Sequence, residues 1–195
     1  MEILSVRQKE IAEASLALIA EKGIQGFTIK NLSRKIGVTE PAIYRHYENK
    51  FGILYTILDF FQKEFQDSLI KTLNSDAHAI TKIKDIYSSR FNKFAENPSW
   101  VSVIFSEEIF KNEEKLSKKI SSIIFQQEEV LIRIIKEGQA KNQIRDDADA
   151  IYLSTIILGS MRILVKKWEL LKYAFDLRKE GEKLFTVLNV LFTNK

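Results

Sequence analysis

Residues 27–50, "FTIKNLSRKIGVTEPAIYRHYENK", decide the fold. Thr28 starts a helix over "IKNLSRKI", because its hydroxyl can accept an amide hydrogen of the first turn. Gly37 ends it, since the residue after a helix often takes the left-handed region that glycine enters freely. Thr39 starts the next helix with Pro41 in its first turn, where a missing amide hydrogen is no loss. Asn49 then opens a long helix through Ile53, Ile57, Phe60, Phe61 and Phe65. Leu32, Ile36, Val38, Ile43 and Tyr47 supply one shared apolar face, with Ser33 small where the two short helices cross. This spacing is that of a helix-turn-helix, whose second helix enters the major groove of DNA. Thr39, Glu40, Pro41, Ala42, Tyr44, Arg45 and His46 remain for the other face, as groups able to touch base edges, thymine methyls and phosphates. Thr28 and Lys30, at the head of the first short helix, join the same set. Lys50 opens the long helix, where free amides and the positive end of the dipole favour a phosphate.

The surrounding sequence agrees with an all-α chain. Its 195 residues include two prolines and seven glycines, and apolar residues recur at spacings of three and four. Upstream, Ser5 and Gln8 form a capping box for a first helix carrying Ile11, Ser15, Leu18 and Ile19, with Gly23 as its stop. The segments at 73–78, 95–100, 136–149 and 172–176 read as loops between long helices. The division this implies is a three-helix DNA-binding domain over 1–48, joined through the fourth helix to a second all-helical domain over 49–195. A net charge of +4 is modest, but five Lys or Arg against two Glu fall between Thr28 and Lys50. Such a local basic patch suits phosphate contact.

Several classes of function are disfavoured. The chain has no cysteine, which removes disulfides, thiolate metal sites and a thiol nucleophile. No phosphate-binding glycine loop and no serine-hydrolase elbow occurs. His46 and His78 lack partners at metal-ligand spacing. "RDDAD" at 145–149 reads as helix capping by Asp146 or Asp147, and the run from Phe110 as a solvated charged face. Neither an enzyme nor a cofactor is expected. The amino terminus shows no signal peptide, and the apolar stretch from Ile151 is too short for a membrane span and is broken by Arg162, so a cytoplasmic protein is expected.

The run from Phe27 to Lys50 closely resembles the DNA-binding domain of the TetR family of bacterial transcriptional regulators, over roughly residues 5–55. The resemblance implies that the recognition-helix positions read bases and phosphates, that Tyr44 and His46 lie against the DNA backbone, and that Lys50 binds a phosphate. Two positions depart from the family pattern. Tyr47 stands where phenylalanine is usual, and Phe51–Gly52 replaces a common acidic pair. The resemblance further implies that 49–195 is a ligand-binding and dimerisation domain, that the protein is a homodimer on a palindromic operator, and that it is a repressor relieved by an unidentified small molecule. An all-α protein-interaction module without DNA binding is the alternative.

Two groups of downstream residues fit those roles. Ile151, Leu158 and Val165 on one helix and Leu177, Leu184, Leu188 and Leu191 on the next are apolar enough for a dimer interface. An apolar ligand pocket with few polar anchors would draw on Phe61, Phe65, Tyr87, Arg90, Phe91, Phe94, Trp100, Phe105, Phe125, Gln126 and Tyr152.

Overall fold

The computed structural model describes residues 5–106 and 113–193, apart from the side chains of Asp67 and Ser68. The described residues form helices and no strand: α1 (Val6–Gly26), α2 (Ile29–Ile36), α3 (Glu40–Tyr44), α4 (Lys50–Leu73), α5 (Ala79–Glu96), α6 (Ser99–Ile104), α7 (Glu114–Ala140), α8 (Ala150–Leu170) and α9 (Leu177–Phe192). They fall into two compact units, one from Met1–Gln62 with Pro98–Ser121 and one from Lys63–Asn97 with Ser122–Lys195. None of the described helices is long and apolar enough to cross a membrane.

In the first unit, α1 starts at the capping box: the Gln8 amide donates to Ser5 Oγ at 3.2 Å and the Ser5 amide to Gln8 Oε1 at 2.9 Å. Gly23, at φ 68°, breaks the helical path before a final turn. Ile11, Ser15, Leu18 and Ile19 are buried as their spacing requires, and Ser15 Oγ satisfies itself on the Ile11 carbonyl at 2.6 Å. Phe27, Leu32, Ile43, Ile53 and Leu54 complete the core. The segment at 95–100 is a loop only at 97–98, since α6 starts at Ser99 and packs on α1. Trp100 stands edge-on to Phe60 and Phe61, with ring centroids 6.0 and 5.8 Å apart. Lys119 fixes the start of α7 to α4 through Asp59 and Gln62, both at 2.6 Å.

The second unit is built around α5, which packs on α8 and α9. Gly181 lets α9 come close: a Cβ there would lie 2.4 Å from a ring carbon of Phe91. Tyr87 meets Phe91 edge-on at 4.8 Å and Phe185 at 5.7 Å. Its hydroxyl lies 3.2 Å from Ser160 Oγ, and burial pushes its pKa up to about 12. Gly138 gives the start of α5 room against α7, where the Ala79 amide donates to Gln143 Oε1 at 2.9 Å. Helix α7 continues to Ala140, so the loop expected from 136 begins only after it. Within "RDDAD" the cap is Asp149, which accepts from the Ile151 amide at 2.8 Å. Asp147 instead pairs with Arg145. Asp176 caps α9 in the same way. The aromatic ring of Phe110 and the start of the charged run that follows it lie outside the described residues.

Candidate nucleic-acid interface

The geometry of 27–50 follows from its caps. Thr28 Oγ1 accepts from the Asn31 amide at 3.1 Å, and Asn31 Nδ2 donates back to the Gly26 carbonyl at 2.9 Å, fixing the entry to α2. At the other end Gly37 adopts φ 69°, ψ 34°. Its amide donates to the Arg34 carbonyl and the Val38 amide to Ser33 at 3.0 Å, two bonds that close the helix and start the turn. Thr39 occupies the first position of the next helix with extended backbone, but its hydroxyl makes no capping bond, contrary to the reading of this residue as a side-chain cap. The hydroxyl is exposed at the leading end of α3.

The α2–α3 pair is held from beneath by Leu32 and Ile43, both without solvent exposure, and by Tyr47. Tyr47 does more than fill a phenylalanine's place: its hydroxyl donates to the Gln8 carbonyl at 3.3 Å, tying the end of the motif to α1. Burial pushes this phenol above its ordinary pKa, although a bond to Thr56 opposes the shift. Asn49 Oδ1 accepts from the Phe51 and Gly52 amides at 2.9 and 3.1 Å, so α4 starts firmly without the acidic pair.

On the outer side, Thr39, Pro41, Tyr44, Arg45 and His46 are exposed, while Glu40 and Ala42 are half-buried. Tyr44 keeps half its surface in solvent, a cost that an apolar ring normally avoids. Thr28 and Lys30 are exposed at the start of α2, and Lys50, half-buried, opens α4 with its ammonium 5.4 Å from the Phe51 ring. Arg34 adds an exposed cation on α2 that the sequence reading left out; its place after Ser33 on a charged helix was the available signal. Lys35 is otherwise engaged, 3.0 Å from Glu21, which lowers the pKa of that carboxylate. The result is a set of exposed hydroxyl, aromatic and cationic groups on α3, joined by Thr28 and Lys30 at the start of α2 and Lys50 at the start of α4. That arrangement can hold phosphates and present side chains to base edges.

The residues proposed for a ligand pocket are divided between the two units. Phe61 and Trp100 are buried in the first unit, where Phe105 is half-buried. Phe65, Tyr87, Arg90, Phe91 and Phe94 are buried together in the second. Phe125, Gln126 and Tyr152 are exposed, because their positions on α7 and α8 fall on the outer faces, and they do not line an interior pocket of the protomer. The interface residues also divide. Val165, Leu177 and Leu188 are core residues, Leu158 and Leu184 are half-buried, and only Ile151 and Leu191 stand out. The apolar surface of α8 is carried instead by Tyr152, Ile156 and Ile163, and that of α9 by Val187, Val190 and Leu191. Among the described residues no cluster of side chains could hold a metal ion.

A helix-turn-helix with a polar and basic outer edge, followed by a helical second unit, defines a DNA-binding transcriptional regulator. Residues 11–55 match the bacterial regulatory proteins of the tetR family, and residues 61–190 match the C-terminal region of YsiA-like proteins within it. The chain belongs to the TetR family. It is 23% identical over 168 residues to the fatty acid metabolism regulator protein of Bacillus subtilis (strain 168), covering 86% of each chain. Its fold matches that of the fatty acid degradation regulator FadR from Bacillus halodurans with a TM-score of 0.85 at 19% identity, over 96% of this chain and 97% of that one. It also matches FadR from Bacillus subtilis in complex with stearoyl-CoA, at a TM-score of 0.80 and 22% identity, over 94% and 97%.

Proposed function

We propose that the protein is a homodimeric repressor that reads a palindromic operator with residues 1–48 and is released from it by a small apolar or amphipathic ligand bound in residues 49–195. The observation that carries this reading is the exposed edge of α3, from Thr39 to His46, presented on a scaffold capped at Thr28, Gly37 and Asn49. Nothing in the fold of 27–50 requires an exposed tyrosine, an arginine and an imidazole on this edge. DNA contact gives each a role. The roles are Thr39 toward bases, Tyr44 and His46 against the DNA backbone, and Thr28, Lys30, Arg45 and Lys50 toward phosphates, with Glu40, Pro41 and Ala42 setting how closely α3 approaches the groove.

Dimerisation is supported by the outer faces of α8 and α9, where Tyr152, Ile156 and Ile163 repeat on one helix and Val187, Val190 and Leu191 on the other. Two copies joined there would carry two reading heads, and a palindrome needs them about 34–36 Å apart. Acyl compounds are supported as ligands by relatives named for fatty acid metabolism or degradation and by the stearoyl-CoA held in the Bacillus subtilis FadR structure. Its place of action is the cytoplasm, with the DNA.

Selection of duplexes from a random pool at two salt concentrations tests the reading. A palindrome should be enriched, and its affinity should fall steeply with salt. Lys50→Ala should weaken binding to all sequences and flatten the salt slope by about one. A correctly folded protein that enriches no sequence with or without an acyl ligand would instead be an interaction module.

A further inference from the structure

Two cations of α5 are buried, and they differ in one respect. Lys82 is 8% exposed and its ammonium donates to the Leu73 carbonyl at 3.0 Å, closing the end of α4. Arg90 is 3% exposed, and its buried Nη1 has no hydrogen-bond partner. Its guanidinium carbon lies 3.5 Å from the centre of the Phe65 ring. One face of the group is therefore covered, while the N–H edges lie in the plane and are not answered by that ring. Among the described residues no carboxylate pairs with Arg90; on neighbouring turns Glu64 pairs with Lys93 at 2.7 Å, and Glu96 faces Arg178 at 3.6 Å. Burial without a compensating anion pushes the Arg90 pKa well below its ordinary range. A guanidinium resists deprotonation even so, which leaves a desolvated positive charge in an aromatic interior.

Such a group is costly to the free protein, because a buried charge is tolerated when an opposite charge or full hydrogen bonding answers it. The surroundings specify what would answer it. Phe65, Tyr87, Phe91 and Phe94 are buried around the same stretch of α5, and Phe65 and Phe94 approach to 6.1 Å. We propose that Arg90 anchors the anionic oxygens of an amphiphilic ligand whose apolar body lies among Phe65, Tyr87, Phe91 and Phe94. This rests on the reading of residues 49–195 as ligand-binding. The planar fork of the guanidinium matches two oxygens of a carboxylate or a phosphate, and the covered face fixes the plane in which they must arrive. A cationic ligand is excluded by repulsion, and a neutral one leaves the charge unanswered.

The test uses the full-length protein, with laurate, lauroyl-CoA and 1-dodecanol as probes, read by thermal melting and by release from the selected operator. Laurate or lauroyl-CoA should raise the melting temperature, and dodecanol should act at least tenfold more weakly. Response to laurate identifies a carboxylate at Arg90; response to lauroyl-CoA alone identifies a phosphate oxygen. Arg90→Met should raise the melting temperature of the free protein by about 2–4 °C, since it removes the unanswered charge. The same variant should lose the anionic probe by tenfold or more while still binding the operator. Arg90→Gln, which keeps hydrogen-bonding capacity without charge, should lose the probe equally and guards against a packing defect in the methionine variant.

Equal response to dodecanol and laurate, or retention of the anionic probe by both variants, would overturn the anchor and leave a ligand-responsive regulator standing. Lower stability of both variants with unchanged probe affinity would make Arg90 a structural group only. Absence of any response in the wild type, with operator binding intact, would remove the anchor and the acyl ligand together, but not the DNA reading.

Discussion

At Gly37 the backbone sits at φ 69°, and a Cβ built there meets no atom within 4 Å. Space is not the constraint; the left-handed conformation is. Gly37→Ala should therefore cost about 1 kcal/mol, from the backbone alone, and lower the melting temperature by about 2–4 °C. Gly181 presents the opposite case. Its φ is ordinary, yet a Cβ would enter the Phe91 ring at 2.4 Å, so Gly181→Ala should cost about 1–3 kcal/mol by overpacking. Comparing the melts of Gly181→Ala with and without Phe91→Leu separates the causes: the smaller side chain should relieve the glycine substitution at 181 and leave that at 37 unchanged. The need for glycine at 37 is readable from the helix that ends before it. The need at 181 is not, because the residue it must clear lies on a different helix far away in the chain.

Helix starts show the same division between local and distant causes. Thr28 and Thr39 look alike in sequence, each opening a short helix. In the structure only the Thr28 hydroxyl accepts a backbone amide. Thr28→Ala should thus cost about 1 kcal/mol of stability. Thr39→Ala should change stability by less than about 0.5 kcal/mol, yet weaken operator binding and alter its sequence preference. Denaturant melts beside a DNA titration would show the two effects on different variants; a stability loss at Thr39 equal to that at Thr28 would contradict the assignment. The short helices, the αL glycine and the caps at Ser5 and Asn49 were legible because each is set within about four residues. Where two candidates compete locally the pattern gives out: α8 starts at Ala150, so Asp149 takes its cap, while Asp147 pairs with Arg145. The interface residues failed for another reason. Helices α8 and α9 are apolar on both faces, so spacing identifies two stripes without saying which one faces the core, and Val165, Leu177 and Leu188 belong to the buried one.

That double-sided character has its consequence at the scale of the whole molecule. A helix buried on one side within its own chain has no use for isoleucines on the other unless something covers them. Ile163 is 70% exposed in the protomer, whereas Val165, two residues on, is fully enclosed. Substitution by glutamate at these two positions should therefore have different results. Val165→Glu places an unpaired charge in the core and should prevent folding. Ile163→Glu leaves the protomer intact, but in a dimer formed through α8 it would bury two facing carboxylates and remove about 1.5–3 kcal/mol of apolar contact from each copy. Sedimentation should then give a folded monomer for the variant beside a dimer for the wild type, if the proposed dimer forms through this face. Operator binding should fall steeply and lose its preference for a palindrome over a single half-site, since each reading head would have to bind alone. A folded dimer with unchanged palindrome preference would place the contact between copies elsewhere on the surface.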